Sequence, residues 1–323
     1  MNKIAVLTSG GDAPGMNACV RAVVRTANHF KMEVVGVRRG YQGMIENDMT
    51  ILSPNDVSNI IHRGGTVLKT ARSPEFMKRE GRERAYHNLL DNGVEALVVI
   101  GGDGSFKGAL ALQDEFGLPV IGIPGTIDND LYGTEATIGY DTAVNNVVTA
   151  VDKIRDTADS HNRLFFVEVM GRDAGFIALR SGIACGAEAV LIPETETYDN
   201  VLMDRLQNGW NREKSSAIII VAEGDDSGGA HKLAEKVKQR FPHFDTKVTI
   251  LGHIQRGGSP SAYDRVLASE LGSWAVRTIR RGTKGVMIGR SGGKAMEIPL
   301  SKAVKHNRSI NRSLEELVYW LSE

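Results

Sequence analysis

Short apolar runs rich in valine and isoleucine recur along the chain, and amphipathic helical patterns separate many of them. These runs cover residues 4–7, 34–37, 96–100, 120–123, 164–170, 189–192, 217–222, 248–251 and 285–288. Because they are nearly continuous rather than alternating, they are typical of parallel strands buried on both faces. The clearest helical pattern covers about residues 141–160. The alternation predicts an α/β fold with open, doubly wound sheets.

The length and the charge of the chain limit its function class. With 323 residues it exceeds the usual size of one hydrophobic core, so we expect two α/β lobes. Lys plus Arg and Asp plus Glu number 39 each, so no overall positive field would attract nucleic acid. No run approaches the roughly 18 apolar residues of a membrane span, and the first run is too short for a signal peptide. We therefore expect neither nucleic acid nor a membrane among its partners.

Cysteine usage is sparse. Cys19 and Cys185 are the only cysteines, and each falls in a helical pattern. Two separated cysteines form neither a disulfide framework nor a zinc signature. We expect both to be buried free thiols in a cytoplasmic protein.

Two glycine-rich loops follow predicted strands, where ligands bind in open α/β sheets. Residues 8–17 (TSGGDAPGMN) precede a predicted helix whose N-terminus would attract phosphate. This loop matches neither GxGxxG nor the Walker sequence, and alone it is also compatible with a plain strand–helix joint. In residues 101–105 (GGDGS) the glycines leave no side chain between backbone and phosphate. There Asp103 can hold Mg²⁺ and Ser105 can cap the following helix; a structural turn is the alternative.

A third loop, residues 124–130 (PGTIDND), supplies acids directly behind a predicted buried strand. Thr126 offers a hydroxyl, and Asp128 and Asp130 offer carboxylates. Acidic turns are often only solvated, but two acids behind a buried strand are less often so. A glycine-lined anion site with one acid for Mg²⁺ and another for proton abstraction indicates phosphoryl transfer.

A dozen segments in register support a family assignment: LTSGGDAPGMNA, RRGYQG, IIHRGGT, TARSPEF, VVIGGDGS, PGTIDND, KIRDTADSH, EVMGR, GAEAVLIPE, VAEG, LGHIQRGGSP and DRVLAS. With them the chain resembles bacterial ATP-dependent 6-phosphofructokinases over essentially its whole length. The resemblance implies two Rossmann-like three-layer αβα lobes with largely parallel sheets and an active site in the cleft between them. The ATP-binding lobe is expected to comprise residues 1–138 and 252–305. The fructose 6-phosphate lobe is expected to comprise residues 139–251 and 306–323.

The resemblance implies phosphorylation of fructose 6-phosphate at its 1-hydroxyl by Mg-ATP, the committed step of glycolysis. Asp128 matches the family's general base, and Asp103 matches the Mg²⁺-linked acid, with Asp130 as a supporting carboxylate. Gly11, Arg72 and Thr126 match groups that steady the transferring phosphoryl group, and Arg172 matches a cation near the reacting end of the sugar. The matches for ATP binding are Gly11, Tyr41, Arg72, Ser73, Gly102, Asp103, Gly104 and Ser105.

The implied sugar site draws on several segments. Its matched residues are Thr126, Ile127, Asp128, Arg163, Met170, Gly171, Arg172, Glu223, Lys247, His253, Ile254, Gln255 and Arg256. Of these, Arg163 and Lys247 are expected to reach the substrate phosphate from a neighbouring subunit, because the family is tetrameric. Taken alone, His253 would more often be a core histidine and Glu223 a surface acid.

The resemblance also implies an allosteric site for ADP or phosphoenolpyruvate. Its matched residues are Arg21, Arg25, Arg155, Gly186, Glu188, Arg212 and Lys214. Pro54 stands where relatives often have arginine, and Ser215 and Ser216 replace a Lys-His pair. We therefore expect effector binding of altered strength or preference. Lys247 stands where the family usually has arginine; it keeps the charge but loses the bidentate fork, so weaker phosphate binding is expected. Met77 falls where a basic residue commonly helps hold the nucleotide, with Lys78 adjacent.

Three other functions are weighed against this one. Pyrophosphate-dependent relatives typically carry aspartate at the position of Gly104 and lysine at that of Gly125, so the glycines favour ATP. Kinases of NAD or lipids share the GGDG loop but not PGTIDND with MGR and HIQRGGSP. A non-catalytic sensor would be expected to have lost its base or its metal acid.

The likeness between residues 62–66 (HRGGT) and 255–259 (QRGGS) is weak evidence for a duplication.

Overall fold

The structure is a computed structural model that describes residues 1–161, 163–195, 202–204, 206–207 and 216–322. Within these residues the chain divides into two compact units. Unit 1 comprises Met1–Ile127, Leu131–Thr142 and Arg256–Arg308, and unit 2 comprises Asp128–Asp130, Ala143–Gln255 and Ser309–Glu323. Among the described residues, no helix is both long and apolar enough to cross a bilayer.

Strands and helices alternate along most of the chain. The strands are β1 (Lys3–Thr8), β2 (Glu33–Val37), β3 (Met49–Ile51), β4 (Ala96–Gly101), β5 (Val120–Pro124), β6 (Arg163–Val169), β7 (Ala189–Leu191), β8 (Ala217–Ala222), β9 (Asp245–Ile250), β10 (Val286–Ser291) and β11 (Lys294–Pro299). The helices are α1 (Met16–His29), α2 (Gly40–Ile45), α3 (Arg79–Asp91), α4 (Asp103–Phe116), α5 (Tyr140–His161), α6 (Phe176–Ala184), α7 (Gly229–Arg240), α8 (Ala262–Arg280), α9 (Leu300–Ala303) and α10 (Arg312–Ser322). Short 3-10 turns cover Glu75–Met77 and Gly252–Arg256.

Unit 1 is built on a seven-stranded sheet with the order β11-β10-β5-β4-β1-β2-β3. Its central strands β1, β2, β4 and β5 pair in parallel, with Ile4 opposite Ala96 and Leu97 opposite Val120. The residues of β4 are all buried, as the continuous apolar run predicts. Helices α1 and α8 pack so closely that a Cβ on Gly272 would lie 2.9 Å from the Cys19 carbonyl oxygen. Glycine is required there because the helix backbones touch.

Unit 2 contains a parallel sheet whose described strands have the order β7-β8-β6-β9. Strand β6 lies centrally, with Leu164 opposite Ala217 of β8 and Arg163 opposite Asp245 of β9. The apolar residues of β6 and β8 pack against α7 through Leu233 and Val237. The α/β class predicted from the alternation is confirmed.

Local differences from the sequence predictions have simple physical reasons. Strands β3 and β11 were not predicted, because both are partly exposed antiparallel edge strands without a continuous apolar run. Cys185 lies just after α6 rather than within a helix. Both cysteines are free and buried, as expected.

Candidate functional site

The three loops singled out in the sequence follow three adjacent strands of unit 1. The Ser9 amide, after β1, donates to the Ile100 carbonyl of β4 at 2.9 Å. The Gly125 amide, after β5, donates to the Gly101 carbonyl at 2.9 Å. Since parallel strands present their carboxyl ends at one edge, the glycine loops and the PGT segment form one continuous backbone surface.

Ser105 joins the two glycine loops. It is buried in the first turn of α4, whose N-cap is Gly102, so the prediction that Ser105 itself caps this helix is wrong. A Cβ on Gly101 would lie 2.5 Å from Ser105 Oγ and 2.7 Å from the Ser9 carbonyl oxygen. Gly101 is therefore a glycine because the protein packs tightly around it.

Gly104 differs from Gly101 although only two residues separate them. A Cβ added at Gly104 would meet no atom of the described residues within 4 Å, and its backbone is not left-handed. Neither packing nor conformation requires a glycine here. A bare backbone at a helix N-terminus allows a phosphate group to come close to the amides.

Two packed aromatic side chains also support the N-terminus of α4. The rings of Tyr41 and Phe76 stack with centroids 4.0 Å apart, and the Tyr41 hydroxyl donates to the Ser105 carbonyl. Burial raises the pKa of the Tyr41 hydroxyl. Ser73 Oγ donates to Gln42 Oε1 at 2.7 Å, which orders the segment that carries the exposed Arg72.

Asp103 lies in the first turn of α4, where the helix dipole favours a negative charge. Its Oδ2 accepts a 2.7 Å hydrogen bond from Lys107 Nζ, and both side chains are solvent-accessible. No group of three or more His, Cys, Asp or Glu side chains in the described ranges could hold a metal ion. A lone carboxylate fits Mg²⁺ that is held mainly by substrate phosphates and water, because Mg²⁺ commonly binds through one or two carboxylates.

Arg256 covers the first glycine loop. Its Nη1 donates to the Asp12 carbonyl at 3.1 Å, and a Cβ on Gly11 would lie 2.6 Å from the same nitrogen. Thr126 is buried, and its methyl carbon lies 3.9 Å from the Cβ position of Gly102. Unit 1 thus places Arg256 on the Gly11 backbone and Thr126 beside the second glycine loop.

In unit 2, Asp128 and Arg172 form the central charged pair. Asp128 is 4% exposed, and its Oδ2 lies 3.7 Å from Arg172 Nε, whose side chain is 70% exposed. The carboxylate is therefore buried while the cation beside it reaches solvent. Such a pair can combine a base with a charge that stabilises a transferring phosphoryl group.

Glu223 fixes the loop that carries Arg172. Its Oε1 accepts hydrogen bonds from the Gly171 amide at 3.2 Å and the Arg172 amide at 2.8 Å. Arg172 has φ 53°, in the left-handed region that non-glycine residues rarely adopt. Buried Gln255 accepts from the Met170 amide at 3.3 Å through Oε1, so its side chain orients the same loop.

Asp245 brings two of the expected sugar-phosphate cations together. Arg163 Nε donates to Asp245 Oδ2 at 2.8 Å, and Lys247 Nζ donates to Oδ1 at 2.7 Å. The hydrogen bonds from Lys247 and then Arg163 lower the pKa of the Asp245 carboxyl. His253 and Ile254 are exposed in the turn that follows β9, so the interpretation of His253 as a core histidine does not hold.

Comparisons with known proteins decide the family. The family model described as Phosphofructokinase matches residues 3–279. The chain is 54% identical over 319 residues to "ATP-dependent 6-phosphofructokinase 2" of Bacteroides thetaiotaomicron, covering 99% of this chain and 98% of the relative. It is 54% identical over 317 residues to "ATP-dependent 6-phosphofructokinase 1" of Thermus thermophilus, covering 98% of each. The chain belongs to the phosphofructokinase family.

Solved structures of the family share the fold. The phosphofructokinase of Saccharomyces cerevisiae superposes with a TM-score of 0.88 at 39% identity, covering 100% of this chain and 48% of the yeast chain. This agreement supports the description as two Rossmann-like α/β lobes. The yeast chain is thus about twice as long as the part it shares with this chain.

The residues predicted for effector binding fall in separate parts of the chain. Arg21 and Arg25 lie four residues apart on α1, and Arg25 Nη2 lies 3.5 Å from the Pro54 carbonyl oxygen. In unit 2, Arg155 donates to the carbonyls of Cys185 and Gly186, which lie close to Glu188 in sequence. Arg212, Lys214 and Ser215 lie outside the described residues.

Sequence reasoning missed some residues that order the candidate site. Asp245 could have been found, because it lies two residues before Lys247 and so shares its face of a strand. Phe76 follows the predicted site residues Arg72 and Ser73 closely in sequence, but an apolar ring there gives no sign of chemistry; it stacks on Tyr41. The buried side chain of Asn17 lies at the end of the first loop. Its partners are distant in sequence, so local spacing could not reveal them.

Proposed function

We propose that the chain transfers the γ-phosphoryl group of ATP to the 1-hydroxyl of fructose 6-phosphate, giving fructose 1,6-bisphosphate and ADP, the committed step of glycolysis. One observation carries the catalytic part of this proposal: the buried Asp128 carboxylate has the exposed Arg172 guanidinium 3.7 Å away. The two close relatives named as ATP-dependent 6-phosphofructokinases support the substrates.

The proposed base is Asp128. Its carboxylate accepts the proton of the 1-hydroxyl while that oxygen forms a bond to the γ-phosphorus, and the bond from this phosphorus to the bridging oxygen of ADP breaks. Arg172, with Arg72, Thr126 and the Gly11 amide, would stabilise the charge shared among the phosphoryl oxygens. Glu223 would keep Arg172 in place by holding its backbone amide.

Gly104 supports ATP rather than pyrophosphate as the donor. No contact among the described residues requires glycine at this position, whereas an α-phosphate and ribose beyond the β-phosphate would need the space. A Cβ on Gly125 would lie 3.0 Å from Ile100 Cγ2 and 3.2 Å from Met16 Cε, so a lysine there would need rearrangement. Tyr41, Ser73 and the Gly102–Ser105 backbone would complete the nucleotide site.

Mg²⁺ is proposed to accompany ATP. Asp103 would hold it, with Asp130 as a second carboxylate. Bound there, the ion would neutralise phosphate charge. Lys107 would have to yield its hydrogen bond to Asp103 or share the carboxylate with the ion.

The substrate phosphate is proposed to bind Arg163, Lys247, His253 and Arg256. Arg163 and Lys247 already share one carboxylate, so they form a single cationic group near the starts of the paired strands β6 and β9. We propose that this group serves the active site of a neighbouring subunit in a homotetramer. The remaining sugar contacts would come from Ile127, Asp128, Met170–Arg172, Glu223 and Ile254.

We further propose an effector site formed by Arg21, Arg25, Arg155, Gly186 and Glu188, with Arg212 and Lys214. Anionic ADP or phosphoenolpyruvate would bind there with altered strength, since Pro54 supplies no charge. Activity titrations with each ligand test this in wild type and Arg21→Ala. Strong activation by ADP and inhibition by phosphoenolpyruvate that Arg21→Ala leaves unchanged would contradict the placement.

The two substrates are proposed to bind mainly to different lobes, with ATP on residues 1–138 and 252–305 and the sugar mainly on residues 139–251 and 306–323. The ATP-binding lobe would add sugar contacts from Ile127, Asp128 and residues 253–256. In support, unit 1 contains the proposed ATP-binding residues Gly11, Tyr41, Arg72 and 102–105. Unit 2 contains the proposed sugar-binding residues Arg163, Glu223 and Lys247. We place the reaction in the cytoplasm, where free thiols such as those of Cys19 and Cys185 stay reduced.

The test of the reaction is phosphorus NMR with fructose 6-phosphate, Mg²⁺ and either ATP or pyrophosphate. We expect fructose 1,6-bisphosphate and ADP with ATP, and no bisphosphate with pyrophosphate. Product from pyrophosphate alone would overturn the donor assignment. Tight binding of fructose 6-phosphate without product from either donor would favour the sensor.

A further inference from the structure

The two Arg-Gly-Gly segments noted in the sequence are in direct backbone contact within unit 1. A Cβ on Gly64 would lie only 2.2 Å from the Gly258 carbonyl oxygen, so a side chain is excluded there. Ser259 Oγ donates a 2.7 Å hydrogen bond to the His62 carbonyl. The glycines in the two segments thus allow one loop to rest on the other.

Asn17 holds the first of these segments. It is 1% exposed, and its Nδ2 donates to the carbonyls of Arg63 at 3.0 Å and Gly64 at 3.2 Å. Its Oδ1 accepts from the Val67 amide at 2.7 Å. A buried amide that is bonded in this way to three backbone groups fixes the conformation of residues 63–67.

The second segment carries Arg256. Gly258, which rests on Gly64, is two residues after Arg256, and Ser259 is also held by Arg265 Nη2 at 2.9 Å. The Arg256 guanidinium lies on the Gly11 backbone and donates to the Asp12 carbonyl. The segment that carries Arg256 therefore rests on the segment that Asn17 holds.

We propose that Asn17 is a positioning residue for Arg256. Asn17 fixes residues 63–67, the Gly64–Gly258 contact and the Ser259 hydrogen bond transmit this order, and Arg256 is presented to the substrate phosphate. The proposal rests on the function proposed above, in which Arg256 anchors fructose 6-phosphate. Asn17 itself contacts no substrate; it acts through the arginine.

The test compares Asn17→Asp with Asn88→Asp. In Asn17→Asp, an acceptor oxygen replaces the donor Nδ2, so it faces the carbonyl oxygens of Arg63 and Gly64 without a hydrogen to share. Asn88 is a matched control, because its Nδ2 donates to the consecutive carbonyls of Met44 and Ile45, at 2.9 Å each. We expect Asn17→Asp to raise the KM for fructose 6-phosphate about tenfold, with the KM for ATP and kcat changed less than about threefold. Asn88→Asp should lower the Tm similarly without the KM change.

A double-mutant cycle with Arg256→Ala tests the route. If Asn17 acts through Arg256, Asn17→Asp adds little to the KM of the Arg256→Ala enzyme, because the two changes remove the same interaction. Fully additive effects would overturn the proposal. Equal KM changes in Asn17→Asp and Asn88→Asp would do the same.

Ser259→Ala decides the question if Asn17→Asp does not fold. It removes the exposed hydrogen bond to the His62 carbonyl, together with the one accepted from Arg265 Nη2, and we expect about a threefold rise in the KM for fructose 6-phosphate. An unchanged KM in that variant would overturn the route through residues 256–259. A wild-type protein that makes no product from ATP would instead overturn the proposed function, so the two failures are distinguishable.

Discussion

Arg172 Nε lies 3.7 Å from Asp128 Oδ2, and Glu223 holds the Arg172 backbone amide at 2.8 Å. The pair combines a buried carboxylate with a cation that remains open to solvent. This arrangement suits a base whose partner must also reach a transferring phosphoryl group.

Asp128→Asn should remove the proton acceptor while preserving the shape of the side chain. We expect kcat to fall about 10²–10⁴-fold, with the KM values for both substrates changed far less. Steady-state assays coupled to ADP production measure this. Exposed Asp91, at the end of α3, provides the control, since Asp91→Asn changes the same net charge without touching the pair. Near-normal kcat in Asp128→Asn would exclude Asp128 as the base.

Gly104→Ala should weaken ATP binding with little effect on stability, whereas Gly101→Ala should lower the unfolding free energy. At Gly104 the new methyl meets no protein atom, so we expect the unfolding free energy to stay within about 0.5 kcal/mol and the KM for ATP to rise about tenfold. At Gly101 it collides with Ser105 and Ser9, so we expect a loss of about 1–3 kcal/mol. Urea unfolding and ATP titrations measure both. Unchanged ATP use by Gly104→Ala would contradict the assignment.

Mixed subunits should reveal whether Arg163 acts across an interface. If it does, Asp128→Asn and Arg163→Ser subunits that are refolded together should form some complete sites. Random equal mixing joins an intact Asp128 to a neighbour's intact Arg163 in about one quarter of the sites, so about a quarter of wild-type activity should return. No recovery, although mixed oligomers form, would mean that both residues serve the same subunit.

Asp264 should make stability depend on pH. It is 0% exposed and accepts from Gly139 N at 2.9 Å, Thr142 N at 2.8 Å and Thr142 Oγ1 at 2.5 Å. Burial raises its pKa from 3.8 to about 6. Between these values the folded protein binds more protons than the unfolded chain, so this carboxyl's contribution to stability decreases as pH rises through the window, by about 3 kcal/mol in total.

Asp264→Asn removes that titration. We expect the stability of wild type relative to Asp264→Asn to decrease by about 2 kcal/mol between pH 4.5 and pH 7, measured from urea unfolding at both values. The comparison cancels other titrating groups that the substitution leaves alone. A constant difference between the two proteins across this range would contradict the raised pKa.

Continuous apolar runs made the central parallel strands predictable, because both faces of β4 and β5 are buried. The same reasoning could not find β11, where exposed lysine, methionine and glutamate break the pattern. Its stability comes from pairing with β10, which connects residues only after folding.

The loops were readable because glycine and acid types reveal phosphate chemistry locally. The contacts of Asp245 with Arg163 and of Asn17 with residues 63–67 join positions far apart in sequence. Their partners follow from sheet register and loop packing, which local spacing does not encode.

The left-handed backbone of Arg172 sets two kinds of selection against each other. A glycine adopts φ 53° without strain, so relief of the backbone strain alone would stabilise the fold by about 1 kcal/mol. The same change would remove the guanidinium beside Asp128. Screens for thermal tolerance alone should therefore enrich Arg172→Gly, whereas screens for growth on sugar should eliminate it. The arginine at this position thus trades fold stability for a charge beside Asp128.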